Sequence, residues 1–351
     1  MSAIATKDRS APAAARPLLG WARDLVTPAL RDEVGRVPAP EARVVGYHRG
    51  WTEADGTPLP AGPAGGGKAV RPALVLLSAQ AVGGTAEDAV PGAVAVELVH
   101  DFSLLHDDVI DGDRLRRHRP AAWTVFGTPA AVLTGDALLV CALRALGRVP
   151  GPAGHLAVRE MLSMLAELMV GQSQDVAFED RRHVEVDQYL AMAAGKTGAL
   201  MGTACALGGL LSGAPERRVD GLRDFGRCLG VAFQCVDDLL GIWGASDRSG
   251  KPVGADIAAR KKSLPVVAAL ADRGEAGRHL ADLLERPGPL EEAEVALAVE
   301  LVERAGGRER TEQEVRRQTA AAMRALARAE PSPEAYRRLH DLALLLTGRD
   351  H

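Results

Sequence analysis

The sequence predicts an all-α fold, and three observations carry that prediction. Apolar residues recur every three to four positions along most of the chain, which is the spacing of one buried face of a helix. No stretch alternates apolar and polar residues cleanly enough to predict a strand. The connections between the helical patterns are short and contain glycine or proline, so we expect a single-domain helical bundle.

The elements follow in order along the chain. Residues 1–17 are rich in Ala, Ser and Pro and lack an apolar signal core, so we expect a disordered leader there and one domain over 18–351. An amphipathic helix is predicted over 18–37, and a loop dense in Pro and Gly over 58–67. Periodicity predicts further helices over 70–82, 86–111, 129–146, 152–178, 184–211, 217–243, 263–284, 290–305, 311–329 and 333–346. Glycine and proline separate them at 83–84, 147–151, 213–215, 287–288, 306–307, 331 and 333.

Composition excludes several classes of function. The formal net charge is -4, so there is no basic excess to neutralise a nucleic-acid backbone. The 4 cysteines lack CxxC spacing, which indicates neither a zinc site nor a disulfide framework. We find no uninterrupted apolar run long enough to span a bilayer. We therefore expect a cytoplasmic protein with no transmembrane segment that binds no nucleic acid.

A polar stripe follows one face of the helix predicted over residues 86–111. His100, Ser103, Asp107 and Asp111 lie at near-helical spacing among apolar neighbours, and Asp108 adds a third carboxylate at the helix end. We expect the three carboxylates to converge, where they would repel one another without a cation. Mg²⁺ suits such oxygen ligands, usually together with substrate phosphates. An exposed acidic helix end is the alternative interpretation.

A second acidic cluster, Asp237 and Asp238, ends another long apolar helix. Two such clusters indicate a metal-bridged phosphate ligand held between two helices. A run of arginines also follows the first cluster directly, and guanidinium groups beside carboxylates are suited to clamp a diphosphate. A solvated face of salt bridges is the usual alternative for such a run. The arginines are Arg114, Arg116, Arg117 and Arg119.

Three further segments combine glycine with basic residues. One lies at the predicted helix start in residues 65–72, where backbone amides favour anions. Another interrupts an Ala- and Gly-rich helix at 195–198, where a lysine needs an anionic partner. The third is the loop after the second acidic cluster. Exposed surface lysines would explain each segment equally well. Their polar residues are Lys68, Arg71, Lys196, Thr197, Lys251 and Lys261.

In this order, the motifs resemble those of the trans-polyprenyl diphosphate synthases, and the resemblance covers residues 66–265. It matches two aspartate-rich motifs, an arginine pair, a Gly-Gly-Lys-x-x-Arg-Pro segment, a Lys-Thr pair, a Phe-Gln pair and the segment after the second motif. The resemblance implies a bundle of the isoprenoid synthase type around a central apolar cavity. It also implies an Mg²⁺-dependent prenyltransferase that joins isopentenyl diphosphate to an allylic diphosphate.

The resemblance assigns roles to the predicted site residues. The metal ligands it implies are Asp107, Asp111 and Asp237. The catalytic residues it implies are Asp107, Asp108, Asp111, Lys196, Gln234 and Asp237. For the allylic substrate it implies contacts from Arg116, Lys196, Thr197, Gln234, Lys251 and Lys261, and Asp238 is a further substrate-binding residue that it implies. For isopentenyl diphosphate it implies contacts from Lys68, Arg71, His100 and Arg117.

The resemblance also implies a product length, which this family sets by side-chain bulk before the first motif. Phe102 followed by Ser103 puts one large residue beside one small one, similar to the pattern that forms the twenty-carbon product. We therefore expect geranylgeranyl diphosphate as the main product. The resemblance further implies a homodimer.

Three positions depart from the family pattern. Gly241 stands where the second motif usually has a third aspartate, and His118 and Arg260 stand where glycines are common. Gly241 keeps a terpene cyclase on the same scaffold open as an alternative, although only 3% of the residues are aromatic and cyclases line their pockets with aromatic rings. A non-catalytic partner subunit of a heteromeric synthase is a second alternative. Its expected mark is the loss of the first aspartates or arginines, and none is lost here.

Overall fold

The computed structural model describes residues 11–60, 67–244 and 253–348, and this part of the chain is helical almost throughout. The all-α prediction is therefore confirmed. The helices in chain order are α1 (Ala11–Val34), α2 (Ala39–His48), α3 (Val70–Ala81), α4 (Val90–Ile110), α5 (Ala122–Phe126), α6 (Thr128–Gly147), α7 (Pro152–Glu179), α8 (Val186–Ala193), α9 (Ala199–Leu211), α10 (Glu216–Trp243), α11 (Ala255–Ala258), α12 (Leu264–Leu270), α13 (Glu275–Leu284), α14 (Glu292–Arg304), α15 (Gly307–Arg328) and α16 (Pro333–Thr347).

The described residues divide into two compact units. The first unit contains those of Met1–Leu162, Ala204–Asp220 and Ala329–Leu339, and the second contains those of Ser163–Thr203, Gly221–Arg328 and His340–His351. The prediction of one domain over 18–351 stays a prediction.

In the first unit, the core forms around α3 and α4. The side chains of Leu74 and Leu77 on α3 and of Leu98 and Leu105 on α4 are almost completely buried. Glycine allows a close helix approach here, because a Cβ built at Gly208 would lie 2.3 Å from the carbonyl oxygen of Val75. This packing fixes α4, the helix that carries the predicted polar stripe.

The second unit has two clusters of buried apolar side chains. The first includes Tyr189, Val236 and Leu239, and the second includes Ile242 and Ile257. Because α10 contributes to both clusters, its C-terminal half is held firmly on its apolar side. That half carries the second acidic cluster.

Several boundaries differ from the predictions. Residues 1–10 of the predicted leader lie outside the described residues, but α1 begins at Ala11, because alanine favours helix and proline is tolerated in a first helical turn. The helix predicted over 263–284 is two helices, since Leu264–Leu270 ends before Gly274. The helix predicted over 184–211 contains a π-helical segment, Ala194–Gly198, between α8 and α9.

Sequence periodicity also missed the short elements. Strands β1 (Leu115–Arg116) and β2 (Arg119–Pro120) form an antiparallel hairpin, which corrects the expectation of no strand. Helix α2 was missed as well. Elements this short give no clear period in a sequence.

Two helices are long and apolar enough to cross a membrane by length and composition alone. They are Thr128–Gly147 and Val186–Leu211, and the structure buries 44% and 72% of their most apolar windows. Charged residues interrupt both helices, Asp136 and Arg144 in the first and Asp187 and Lys196 in the second, so the expectation of no transmembrane segment stays a prediction. Core helices of soluble proteins also reach this length and apolarity.

Candidate active site

Helix α4 presents acidic side chains on two different faces. The predicted stripe includes Asp107, which is half-buried, and Asp111, which is exposed at the C-cap of the helix. A second column, Glu97, Asp101 and Asp108, is buried. Adjacent helical residues point about 100° apart, so Asp107 and Asp108 cannot both face the same point. The expected convergence of Asp107, Asp108 and Asp111 is therefore wrong for Asp108.

Arginine side chains neutralise the buried column. Arg49, at the end of α2, donates hydrogen bonds to Asp101 and, at 2.9 Å, to Glu97. Burial lowers the pKa of Arg49, but the two carboxylates outweigh this effect and raise it. Arg116 of the hairpin donates through Nε to Oδ1 of Asp108 at 2.9 Å. Burial nevertheless raises the pKa of Asp108, and the Arg116 guanidinium opposes that shift.

The predicted isopentenyl diphosphate residues form a cationic cluster in the first unit. Burial holds the pKa of His100 well below its usual value, and the positive charges of Arg71 and Arg117 lower it further. Both guanidinium groups are therefore close enough to act electrostatically on His100, and its imidazole is neutral at pH 7. Lys68 is exposed, three residues before Arg71.

Burial and the surrounding carboxylates act on the pKa of Arg117 in opposite directions. Burial lowers its pKa, and the nearby Asp101 carboxylate partly offsets this effect. Among the described residues, one of its buried terminal nitrogens has no hydrogen-bond partner. The other terminal nitrogen would lie 3.3 Å from a Cβ at Gly67. Gly67 therefore lets the segment before α3 approach this guanidinium.

The β1–β2 hairpin positions the side chains of Arg116 and Arg117. Arg116 pairs with Arg119 across the ladder, which leaves Arg117 and His118 as a two-residue turn. Their φ angles are 52° and 63°, so both lie in the left-handed region of a type I′ turn. Glycine or asparagine favours this conformation. The departure from the family pattern at His118 therefore falls on a strained backbone position.

In the second unit, the π-helical segment carries the predicted Lys-Thr pair. Lys196 donates a hydrogen bond of 2.6 Å to Asp175 on α7, which supplies the anionic partner that the sequence required. A Cβ at Gly171 would lie 2.4 Å from the Lys196 amide nitrogen, so α7 touches this segment through glycine. Sequence reasoning missed Asp175, because its pairing with Lys196 joins positions 21 residues apart.

A hydrogen-bonded chain connects Thr197 to the second acidic cluster. Thr197 donates to the side-chain oxygen of Gln234 at 2.8 Å, and the Gln234 amide donates to Asp238 at 3.1 Å. Asp238 is buried and also accepts from the Tyr189 hydroxyl and, at 2.8 Å, from the Leu264 amide at the start of α12. Burial raises its pKa to about 7, although these hydrogen bonds act in the opposite direction.

The hydrogen bonds of Asp238 differ from the predicted contact with a substrate. Both of its oxygens are used by neighbours inside the unit, so it holds Gln234 and caps a helix. Asp237, one residue earlier, is only half-buried. Lys261 is exposed, and Lys251 and Gly66 lie outside the described residues.

The predicted chain-length residues, Phe102 and Ser103, lie on α4. Phe102 is 4% exposed and packs edge-to-face on His106, with ring centroids 4.7 Å apart. A Cβ at Gly135 of α6 would lie 3.3 Å from the Phe102 ring, so α6 closes on it. The Ser103 hydroxyl donates a hydrogen bond of 2.8 Å to the carbonyl of His100.

The positions of the carboxylates bear on the predicted Mg²⁺ site. Among the described residues, no three His, Cys, Asp or Glu side chains are close enough to hold a metal ion by themselves. Mg²⁺ is commonly held by one or two carboxylates plus substrate phosphates, so this arrangement fits a metal that arrives with a diphosphate. Asp107 and Asp111 lie one helical turn apart and suit that role.

Known proteins resemble this chain over nearly its whole length. A family model described as Polyprenyl synthetase matches residues 58–302. The (2E,6E)-farnesyl diphosphate synthase of Mycobacterium bovis is 43% identical over 336 residues, which cover 95% of this chain and 93% of the relative. The geranylgeranyl diphosphate synthase of Mycobacterium tuberculosis is 45% identical over 320 residues, 91% of each chain. A polyprenyl synthetase crystal structure from Streptomyces coelicolor A3(2) has a TM-score of 0.90 at 45% identity and covers 95% of this chain and 99% of its own.

Proposed function

Because the chain belongs to the polyprenyl synthetase family, we propose that it condenses isopentenyl diphosphate with an allylic diphosphate in an Mg²⁺-dependent reaction. The observation that carries this proposal is the cationic cluster of Arg71, His100 and Arg117. A cyclase ionises a finished prenyl diphosphate and needs no second diphosphate site. A synthase needs one, and these side chains supply it.

The cluster suits a diphosphate chemically. A buried guanidinium nitrogen without a protein partner costs free energy until an anion accepts its hydrogen. Neutral His100 can donate one hydrogen bond without adding a positive charge to a site that already holds two arginines. Arg49 cannot replace them, because Glu97 and Asp101 occupy its guanidinium.

For the allylic substrate, we propose Asp107, Asp111 and Asp237 as the carboxylates toward Mg²⁺. When bound, the metal ions neutralise the departing pyrophosphate and so assist its loss. Lys196 adds positive charge, and its ion pair with Asp175 holds the ammonium in place until the substrate enters. Thr197 and Gln234 are oriented by their own hydrogen bond and by Asp238.

We propose geranylgeranyl diphosphate as the main product, on the support of Phe102 and Ser103. Because the small Ser103 follows Phe102, this floor is one that a fifteen-carbon chain can still pass. The relatives with farnesyl and geranylgeranyl names have similar identity, so side-chain bulk supports this choice rather than overall similarity.

We also propose a homodimer. Leu133 and Val140 of α6 lie seven residues apart on one helix face and are 58% and 63% exposed. Along α7, Leu162 and Val170 are 50% and 60% exposed. Apolar side chains in such rows are typical of subunit interfaces. Light scattering should give twice the chain mass, and Leu133→Glu with Val140→Glu should give a monomer if this face is the interface.

One incubation series tests the reaction. Dimethylallyl, geranyl and farnesyl diphosphates are each offered with isopentenyl diphosphate and Mg²⁺, and geranylgeranyl diphosphate is offered alone. Elongated diphosphates are expected in the first three tubes. A hydrocarbon or alcohol from the last tube, without elongation elsewhere, would establish a cyclase instead.

A pair of variants tests whether Arg117 binds isopentenyl diphosphate. Loss of one charge-assisted hydrogen bond costs about 1.5–3 kcal/mol, so Arg117→Met should raise KM for isopentenyl diphosphate by roughly tenfold or more. Arg114→Met removes an exposed arginine from the same run and serves as the control. Equal KM values in the two variants would contradict the assignment of the cluster.

A further inference from the structure

The end of helix α2 contacts the hairpin that carries Arg117. The Tyr47 hydroxyl donates a hydrogen bond of 3.0 Å to the carbonyl of Pro120 on β2. The guanidinium of Arg119, the other residue of β2, lies 4.3 Å from the centroid of the Tyr47 ring, within the range of a cation–π contact. Tyr47 is buried, so its hydroxyl needs this partner. Strand β2 is therefore held on the Tyr47 side chain.

Arg119 joins β2 to the backbone that leaves α2. It donates to the Glu53 carboxylate at 2.9 Å and, at 3.4 Å each, to the carbonyls of Tyr47 and Thr52. The Thr52 amide in turn donates to the carbonyl of Gly46 at 3.2 Å, so this backbone folds back on the helix. The two terminal nitrogens of one guanidinium are thus occupied by three acceptors of one segment.

The same end of α2 is also tied to α4. Arg49 is buried and donates to Glu97 and Asp101, which flank His100 along that helix. Tyr47 and Arg49 are two residues apart, so their side chains diverge by about 200° around the helix axis. One side of α2 therefore contacts the β1–β2 hairpin, and the other contacts α4.

The hairpin needs such an anchor because it is very short. Its ladder has two residue pairs, and a two-stranded hairpin is marginally stable at best on its own. The position of Arg117 in the turn therefore depends on what holds the two strands. Strand β1 is held through Arg116 and Asp108, whereas β2 is held through Tyr47 and the segment that follows it.

We propose that Tyr47 and Arg119 are positioning residues, which hold the β1–β2 hairpin against α2 so that Arg117 and His100 can bind one diphosphate. The inference rests on the proposed function, because it concerns the same isopentenyl diphosphate site. Arg119 acts through the hairpin, since its guanidinium is already occupied by acceptors of the α2 segment.

The Michaelis constants of the two substrates test this role. Tyr47→Phe removes one hydrogen bond and keeps the ring, and it should raise KM for isopentenyl diphosphate by roughly threefold. Arg119→Met removes every contact of the guanidinium and should raise it by roughly tenfold. KM for the allylic substrate should stay close to the wild-type value, because Arg116 keeps its own anchor in Asp108. A melting temperature measured alongside shows whether each variant is folded.

Arg43→Met is the matched control on the same helix. Arg43 is exposed and donates to the carbonyl of Ala54 at 2.6 Å. Its loss removes an arginine and a backbone contact from α2 but leaves the contacts of Tyr47 and Arg119 in place, so both KM values should match those of the wild type. An equal rise in KM for isopentenyl diphosphate in this variant would overturn the specific role of Tyr47 and Arg119.

A double variant distinguishes positioning from general stabilisation. If Arg119 acts through Arg117, Arg119→Met should cause no further rise in KM for isopentenyl diphosphate in a chain that already carries Arg117→Met. Arg119→Lys keeps a positive charge beside Glu53 and should give a KM between those of the wild type and Arg119→Met. A merely structural Arg119 would instead lower Tm, add to the effect of Arg117→Met and change both KM values alike.

The outcomes separate this inference from the function it rests on. A wild type that elongates allylic diphosphates, with unchanged KM for isopentenyl diphosphate in Tyr47→Phe and Arg119→Met, would overturn the positioning role alone. Additive effects of Arg119→Met and Arg117→Met would do the same. If Arg119→Met does not fold, Tyr47→Phe decides between the two results. A wild type that elongates no allylic diphosphate would overturn the proposed function together with this inference.

Discussion

Replacing His118 by glycine should stabilise the protein, which tests the strained turn that aims the two arginines. His118 has a φ of 63° and its side chain is exposed. A non-glycine residue in the left-handed region costs roughly 1–2 kcal/mol. Glycine removes that cost but adds about 0.4–1 kcal/mol of conformational entropy to the unfolded chain. The expected net gain is about 1 kcal/mol in the free energy of unfolding.

The corresponding change in melting temperature follows from the size of the chain. With about 2.1 cal/mol/K of unfolding entropy per residue, a chain of 351 residues has roughly 0.7 kcal/mol/K, so the expected rise in Tm is about 1–2 °C. Differential scanning calorimetry on matched samples resolves such a shift. Urea denaturation should give a higher midpoint at an unchanged m-value.

His118→Ala is the control that isolates the backbone. Alanine removes the imidazole but keeps the Cβ that causes the strain, so its Tm should stay close to that of the wild type. His118→Asn should fall between them, because asparagine tolerates the left-handed region. Equal stability of the alanine and glycine variants would refute the strain argument. KM for isopentenyl diphosphate should stay unchanged in all three, because the Arg117 guanidinium is retained.

Three further predictions follow from the acidic residues and the chain-length floor. Asp107→Asn should weaken the Mg²⁺ dependence of the reaction with little change in Tm. Asp108→Asn should instead lower the free energy of unfolding by about 1–3 kcal/mol, because it leaves a largely buried Arg116 without its carboxylate. The opposite pattern would contradict the assignment of the two aspartates to different faces of α4. Folding raises the pKa of Asp238 to about 7, so the stability that it contributes is fully present below about pH 4 and is lost as the pH rises to 7. Urea titrations at each pH give the difference in unfolding free energy between the wild type and Asp238→Asn. This difference should fall over that pH window by at most about 4 kcal/mol, and a constant difference would refute the raised pKa of Asp238. Phe102→Ala should shift products beyond twenty carbons in a chromatographic assay, and unchanged lengths would disprove the floor.

Helical periodicity carried much of the site prediction. The spacing of His100, Ser103, Asp107 and Asp111 predicted one stripe on one helix, and α4 carries that stripe. The same rule could have separated Asp108, since adjacent residues of a helix diverge by about 100°. Its partner could not have been predicted, because Arg116 reaches Asp108 from a hairpin too short to give a period.

Tertiary contacts explain what the sequence pattern left open. The π-helical segment around Lys196 has glycines as its only sequence signal, and α7 approaches it closely at Gly171. The departures at His118 and Arg260 both fall on left-handed backbone, with φ of 63° and 54°. Arg260 offsets its strain through two carbonyl contacts, which no local rule predicts.

The two adjacent aspartate pairs follow one physical rule. In Asp107–Asp108 and in Asp237–Asp238, the first carboxylate is half-buried and the second is buried. Burial raises the pKa of the second member in each pair, and each has a donor from another element, Arg116 or Tyr189. Because two neighbours on a helix cannot face one ligand, one carboxylate of each pair is left for the cation that we propose, while the other fixes the helix that carries both. A doubled aspartate can therefore contribute a single ligand to the proposed metal site, and a further ligand must come from one turn away, as from Asp111.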